Sequence, residues 1–416
     1  MHIFKFGGAS VKDAEGVKNV VNVLQHKGYT NTLVVVSAMG KMTNAFEKVI
    51  KAYIEKDTEL DTYIAEIKTY HTQIIGDLFA DKNHAILFEI EHIFGLLKGF
   101  MLANRSTNYN FIYDQLVGFG ELLSTKILSN YLNEIGIANQ WLDVRQVIVT
   151  SDDYRDAKVD WEETKHRISN AIVKDQLYIT QGFLGATKDN FTTTLGREGS
   201  DYTAAVFAYC LNAKDVTIWK DVPGVLNADP RAFSDTRLLT QISYKEAIEM
   251  AFYGASVIHP KTLKPLENLS IPLYVKSFID LDAEGTQVKK GADVVPLTPC
   301  FVVKNEQIYL QISALDFSFM VEHNISNLFQ LLDKYKLKVN LIQNSALSFR
   351  VCLEDKYTNF ESFLEEIKEK YCVEYFKNVT LFTIRHFTNE ALNSIEKDKE
   401  IVLKQISENT IQLIVK

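Results

Sequence analysis

The 416-residue sequence is most informative at first for what it is short of. Only four cysteines occur, Cys210, Cys300, Cys352 and Cys372. They lie far apart without metal-ligand spacing, which points to free thiols in a reducing compartment. Seven prolines and no low-complexity stretch leave no room for a proline-rich linker. No segment concentrates Lys and Arg with interleaved aromatics, and the net charge is -8, so a nucleic-acid partner is not expected. The longest apolar runs fall far short of a membrane span, so no membrane association is expected. Met1 leads straight into HIFKF without a charged-then-apolar leader, and a cytoplasmic location is the expectation. What remains is ordinary globular material, 46% hydrophobic and 24% charged, long enough for two or three domains.

The stretch around which the chain organises itself is TTTLGREGSDYTAA, 192–205. Small hydroxyls, glycines and opposed charges are compressed there onto the start of an apolar helix. Such a start can bind anions, or it can be an ordinary capped helix with Ser200 or Asp201 as N-cap. Upstream, His2 to Phe6 reads as a buried strand. Gly7 and Gly8 follow it, then a helix over Ala14 to His26, and then the β-branched strand Thr32 to Val36. This strand–turn–helix–strand order predicts parallel strands with a right-handed crossover, and ligands in such sheets bind at the carboxyl ends of the strands. Lys5 and the loop Ser37 to Thr43 occupy two of those ends. Paired glycines let a backbone approach phosphate oxygens, and Lys5 offers them a point charge or else reaches out to solvent.

From Asn44 to about Gly136 apolar residues recur at i, i+3, i+4 and i+7 in four segments, the last running from Phe111 to Gly136. Glu121 sits in that last helix among small and apolar neighbours, an uncommon place for an unpaired acid. Beyond it strands and helices alternate again: QWLD, LYITQGFLG, a helix through Asn212, and VTIW. The last strand runs into Lys220, Asp221 and the turn-rich VPGVLNADPR. A helix stopped at Gly254 and a second opening at Pro260 precede the strand IPLYVKSF. After Pro299 the pattern predicts a βαββαβ unit and a second, shorter copy, with FVVKN and QIYLQIS as separate strands.

With KFGGAS, SAMGKMT, GELLST, WLDVR, TTLGREGSD, IWKDVPGVLNADPR and FYGASVIHPKT in this order, the chain resembles the aspartokinases of the amino acid kinase superfamily over about residues 2–296. The resemblance implies a three-layer αβα sandwich with a mainly parallel sheet over 1–296 and a helical insertion at about 44–136. It also implies a C-terminal α+β pair of ACT-like units over 297–416. The implied reaction is phosphorylation of the side-chain carboxylate of L-aspartate by MgATP, the first step of lysine, threonine and methionine biosynthesis. A carboxylate is already ionised at neutral pH, so this transfer needs alignment and charge neutralisation and no general base.

Carried over residue by residue, Lys5 stabilises the transferred phosphoryl group, Gly7 and Gly8 offer N–H donors, and Asp201 holds Lys5. Arg197 grips a carboxylate of aspartate, Glu121 takes its ammonium, and Ser37, Thr43 and Ser200 hydrogen-bond it. Thr193 and Thr194 lie near the junction of substrate and phosphate. Lys220, Asp221, Asp229, Arg231, Ser256 and Lys261 belong to the ATP side. Mg2+ is expected on phosphates and water, with no protein ligand named.

Three departures from the commonest family pattern stand out: Glu198 replaces a frequent glycine, Lys220 a frequent threonine, and Ser256 a frequent phosphate-contacting lysine. Glu198 is expected to face solvent or to pair with Arg197, and Lys220 or Lys261 to supply the charge missing at Ser256. The first ACT-like unit has EHNISNLF where a glycine is usual, and the second stops at Lys416 without a final helix. A homodimer with weak or absent lysine or threonine inhibition is therefore expected. The alternatives are a kinase for another amino acid, which the insertion and GELLST oppose, and an inactive ACT-containing metabolite sensor, which the joint presence of Lys5, Glu121, Arg197 and Asp201 opposes.

Overall fold

The structure is a computed structural model that describes residues 1–255, 258–316, 318–397 and 399–416. The chain packs as two compact units. One comprises Met1–Val225, Leu238–Ile248 and Val257–Val295, the other Leu226–Arg237, Glu249–Ser256 and Pro296–Lys416.

The first unit opens with β1 (His2–Phe6), α1 (Ala14–Lys27) and β2 (Thr32–Val36). Asp13 caps α1 by accepting from the Gly16 N–H at 2.8 Å. The helical insertion then supplies α2 (Met42–Glu55), α3 (Leu60–Leu78), α4 (Ile86–Ala103), α5 (Tyr109–Val117) and α6 (Phe119–Glu134). Where periodicity predicts one helix from Phe111 to Gly136, the structure has two, broken at Gly118. A Cβ at that position would meet Leu184 Cδ2 at 2.8 Å, so the missing side chain lets the backbone lie against a neighbouring strand. That approach is tertiary and leaves no trace in the apolar spacing.

The chain continues through β3 (Gln140–Leu142), α7 (Trp161–Ala171), β4 (Leu177–Gln181), β5 (Leu184–Ala186), β6 (Thr192–Thr194), α8 (Gly199–Leu211) and β7 (Asp215–Lys220). It then adds β8 (Gln241–Ser243), α9 (Tyr244–Tyr253), α10 (Pro260–Leu269), β9 (Leu273–Ser277) and β10 (Thr286–Lys289). Eight strands form one sheet in the order β3-β4-β2-β1-β7-β9-β10-β8, parallel except for the β9–β10 pair. Every residue of β2 and β4 is buried, as expected of central parallel strands covered on both faces. The core between sheet and insertion brings together Phe6, Val34, Met39, Phe46, Leu123, Ile127 and Trp219. Burial of each such side chain stabilises by about 1.5–3 kcal/mol. Among the described residues no helix is long and apolar enough to cross a membrane.

The second unit carries β11 (Cys300–Ala314), α11 (Glu322–Lys334), β12 (Lys338–Asn344), β13 (Ser348–Glu354), α12 (Phe360–Lys368), β14 (Tyr371–Arg385), α13 (Asn389–Glu396), β15 (Ile401–Ser407) and β16 (Thr410–Val415). These strands make a single antiparallel sheet ordered β12-β13-β11-β14-β16-β15. The two strands read separately from FVVKN and QIYLQIS are one 15-residue strand with a register shift between Lys304 and Gln307. Glu306, at φ 56°, lies in this irregular stretch, where a β-bulge accommodates an extra residue. Because β11 and β14 pair along their whole length, the two repeats share one sheet. Separate clusters fill it under each repeat, around Leu310, Val351 and Phe363 in the first and Ile384, Leu392 and Ile411 in the second.

Candidate active site

The carboxyl ends of β2, β1 and β7 lie side by side, since these strands are neighbours in that order. They present Ser37, Lys5 and Lys220 along one rim. The start of α8 and the tip of α6 face this rim, and together they enclose a cavity of about 550 Å³. Of the residues singled out from sequence, Lys5, Ser37, Thr43, Glu121, Arg197, Ser200, Asp201 and Lys220 all line it.

Lys5 Nζ stands 2.7 Å from Asp201 Oδ1, with the two side chains 11% and 5% exposed. Asp201 lies in the first turn of α8, where the helix dipole favours a carboxylate. Held by the helix, it fixes the ammonium at the strand end. Gly8 keeps the neighbouring turn tight: a Cβ there would fall 2.7 Å from the carbonyl oxygens of Ala38 and Gly40. The turn after β1 and the loop after β2 thus touch backbone to backbone.

Glu121 is 2% exposed. Its Oε1 accepts from the Ala38 N–H at 3.3 Å, while its Oε2 is enclosed and has no hydrogen-bond partner. Burial pushes this carboxyl up to about 8, against the smaller opposing effect of the hydrogen bonds it receives. A buried carboxylate with an unused oxygen facing a cavity is built to receive a cation. The rest of GELLST holds it in place. Ser124 Oγ donates to the Ser37 carbonyl at 2.7 Å, and Thr125 Oγ1 donates to the Glu121 carbonyl at 2.9 Å while accepting from Gln181 Nε2 at 2.8 Å. The helix is therefore tied to the loop whose serine lines the same cavity.

The threonine run of β6 is fixed from the insertion. Asp114, fully buried on α5, accepts from the Thr194 N–H and hydroxyl at 2.8 Å each, and from the Arg155 N–H at 3.0 Å. Burial nevertheless pushes Asp114 up to about 6. Thr194 lines the cavity, whereas the Thr193 hydroxyl pairs with Thr150 Oγ1 at 2.7 Å in the interior, so only Thr194 of the pair borders the cavity.

Glu198 departs from both sequence expectations. It lines the cavity with its Oε2 enclosed and unpartnered, and among the described residues it forms no ion pair with Arg197. Its backbone has φ 53°, the left-handed region where a side chain is disfavoured. Tyr113, Arg155 and Phe183 also line the cavity and carried no sequence signal as site residues, since each lies in an apolar helix, an irregular loop or the end of a buried strand.

The remaining described candidates are not among the residues lining the cavity. Gly7 stands beside Lys5, where a Cβ would be 3.4 Å from its Nζ. Asp221 follows β7 without lining the cavity. Asp229 and Arg231 bind each other, Nη2 to Oδ2 at 2.6 Å, in the exposed turn of the second unit. Lys261 Nζ is engaged by Asp156 Oδ1 at 2.7 Å and the Leu195 carbonyl at 2.9 Å. It therefore buttresses the 192–205 loop from behind. Ser256 lies outside the described residues.

A cavity that gathers lysine and arginine at strand ends and holds a buried carboxylate opposite can bring two anions together and orient an amine beside them. This is the layout of a small-molecule phosphotransferase of the α/β class. Residues 1–277 match the model of the amino acid kinase family, and the chain belongs to that family. Within it the chain falls among the aspartokinases. Lysine-sensitive aspartokinase 3 of Escherichia coli (strain K12) is 32% identical over 361 residues, 85% of this chain and 78% of that protein. Aspartokinase 1, chloroplastic, of Arabidopsis thaliana is 31% identical over 364 residues, 85% of this chain but 63% of the relative, so the chain spans less than two thirds of that protein. The solved structure of E. coli aspartokinase III in complex with lysine and aspartate in its T-state superposes with a TM-score of 0.83 at 28% identity, covering 100% of this chain and 96% of the other. The same protein in complex with aspartate and ADP in its R-state gives 0.82 at 28%, with the same coverage.

Proposed function

We propose that this chain transfers the γ-phosphoryl group of ATP to the side-chain carboxylate of L-aspartate, yielding 4-phospho-L-aspartate and ADP. The reaction would open lysine, threonine and methionine biosynthesis, with the cytoplasm as its setting. The observation that carries the reading is the enclosed, unpartnered Oε2 of Glu121 in the same cavity as the Lys5–Asp201 pair. One is suited to an amino acid's ammonium, the other to charge on a transferring phosphoryl group.

In this reading Glu121 takes the ammonium, Arg197 grips the α-carboxylate in a two-pronged fashion, and Ser37, Thr43 and Ser200 hydrogen-bond the rest of the amino acid. Lys5, supported by Asp201, neutralises charge between the two reacting anions, and the N–H groups of Gly7 and Gly8 lie beside it. Lys220 extends the positive rim towards the nucleotide, and Asp221, Asp229, Arg231, Ser256 and Lys261 are assigned to the nucleotide side on family resemblance. Lys220, which lines the cavity, or Lys261, which is held by Asp156 and the Leu195 carbonyl, is proposed to replace the charge missing at Ser256. The residues fit Mg2+ arriving on ATP. Phosphate oxygens and water are proposed as its main ligands, as is usual for this ion. When bound, Mg2+ supplies neutralisation of phosphate charge.

The second unit is proposed to join two copies of the chain. Its edge strands β12 and β15 expose Ile342, Ile401 and Ile406, at 43%, 41% and 57%, and exposed apolar edge strands tend to pair. Domain limits of 1–296 and 297–416 are part of the same reading, as is weak or absent inhibition by lysine or threonine.

ADP release measured with aspartate against glutamate, combined with hydroxylamine trapping of the acyl phosphate, tests the central claim. Aspartate-dependent hydroxamate is the expected result. ADP release that is indifferent to aspartate would overturn the reading in favour of an inactive metabolite sensor, and preference for glutamate would overturn the substrate assignment.

A further inference from the structure

Arg155 is a charged group at the cavity with no task in the reaction proposed above. Arg155 lies in the irregular segment between β3 and α7, lines the same cavity as Lys5 and Glu121, and is exposed at its mouth. Its backbone has φ 73°, a conformation that a long side chain occupies only when its surroundings insist. Here the surroundings are the buried Asp114, whose Oδ2 accepts the Arg155 N–H at 3.0 Å. The same carboxylate fixes the N–H and hydroxyl of Thr194 on the cavity wall. One buried acid thus sets the positions of a wall residue and of the arginine beside it.

The guanidinium is also positioned. Its Cζ lies 4.3 Å from the ring centroid of Tyr113 and 5.6 Å from that of Tyr109, within the range of a cation–π contact. Tyr113 itself is held, its hydroxyl donating to Glu47 Oε1 at 3.0 Å. Among the described residues no carboxylate forms an ion pair with Arg155. The arginine is therefore oriented by aromatic rings while its five N–H donors remain available for an anion.

We propose that Arg155 is a substrate-binding residue that grips the α-carboxylate of the amino acid alongside Arg197, and so sets specificity for substrates with that carboxylate free. The assignment to the amino-acid end follows from its neighbours: Asp114 joins it to Thr194, and Tyr113 lies on the insertion that also carries Glu121. Lys220, the cation at the nucleotide end, belongs to a different strand end. This proposal rests on the kinase reading given above.

The test uses the full chain with Arg155→Gln and Arg155→Lys, and two acceptors: L-aspartate and its α-carboxamide, which keeps the amine and the reactive side-chain carboxylate. Loss of a two-pronged charged contact corresponds to about 10- to 100-fold in binding. Arg155→Gln is therefore expected to raise KM for aspartate by that factor, with kcat and KM for ATP little changed. It should leave kcat/KM for the α-carboxamide nearly unaltered, so that discrimination between the acceptors collapses. Arg155→Lys should recover part of the loss, because charge returns without the planar fork.

Equal losses on both acceptors would overturn the proposal in favour of a merely structural role. A rise confined to KM for ATP would overturn it in favour of a phosphate contact. Calorimetric binding of aspartate without nucleotide separates this proposal from the kinase reading. Wild type that binds aspartate but forms no hydroxamate refutes the kinase reading alone. An affinity unchanged by Arg155→Gln refutes the role of Arg155 alone, and wild type that does not bind aspartate refutes both.

Discussion

Lys5 and Asp201, 196 positions apart in the chain, meet as a buried ion pair at 2.7 Å, the first on a strand end and the second in the opening turn of a helix. Removing one partner of such a pair leaves the other charge buried and uncompensated, which destabilises by about 3–5 kcal/mol. Lys5→Met or Asp201→Leu alone should each lower stability by about that amount in chemical denaturation. The double variant should lose clearly less than the sum. Activity should fall at least about 100-fold in every case, as for loss of a preorganised electrostatic contact.

Glu121 gives the site a pH signature. Its carboxyl is raised to about 8 in the folded protein and titrates near 4.5 when exposed, so between these values the folded state binds the extra proton. Stability attributable to this group is therefore complete below about 4.5 and is lost as pH rises through about 8. Glu121→Gln should flatten that decline, measured as the midpoint of urea unfolding from pH 5 to 9. In the proposed reading, in which Glu121 takes the ammonium of aspartate, binding calls for the ionised form. Binding of aspartate below pH 8 should release a proton, read as a dependence of the calorimetric heat on buffer ionisation, and Glu121→Gln should abolish that release.

Glu198 holds a left-handed backbone that glycine adopts without strain. Glu198→Gly should leave thermal stability within about 1 kcal/mol of wild type, because relief of strain offsets the greater freedom of the unfolded chain. Glu198→Val, β-branched at the same φ, should destabilise by about 1–3 kcal/mol. Equal melting temperatures for the two variants would show that the backbone there relaxes freely.

In the second unit, Lys304 donates to Asn340 Oδ1 at 2.8 Å, and burial, with Lys338 adding repulsion, lowers it to about 8. In the unfolded chain it titrates near 10.5, so between these values the unfolded state holds more protons and stability should rise with pH from about 8 to 10.5. Lys304→Met, similar in length and uncharged, should remove this rise and be at least as stable as wild type at pH 7. The pH series of thermal unfolding for both proteins checks it.

The longer regular elements were legible in the sequence, because each obeys a local rule. By contrast, α7, β6, β8 and β10 were not, and LYITQGFLG, which reads as one strand, is divided between β4 and β5 in two sheets. The run Thr32–Val36 is β-branched and apolar throughout, as a strand covered on both faces must be. The apolar spacing in 44–136 matches the helical period, and Asp13 and Gly28 bracket α1 as caps do. Lys5, Ser37, Thr43, Glu121, Arg197, Ser200, Asp201 and Lys220 were legible as motif residues, and they line one cavity. What tertiary structure alone decided was everything that depends on approach between distant segments. Gly118 separates two helices and admits Leu184 where a side chain would clash, and the two apparent strands are one because β14 pairs along β11. Thr193 and Thr194 are chemically identical neighbours, yet Thr150 takes one and Asp114 aligns the other. Arg155 has no motif, and only the rings of α5 and the buried Asp114 bring it to the cavity. A local pattern records a residue's own conformational and solvation preferences, whereas these positions are set by partners that folding brings together from far along the chain.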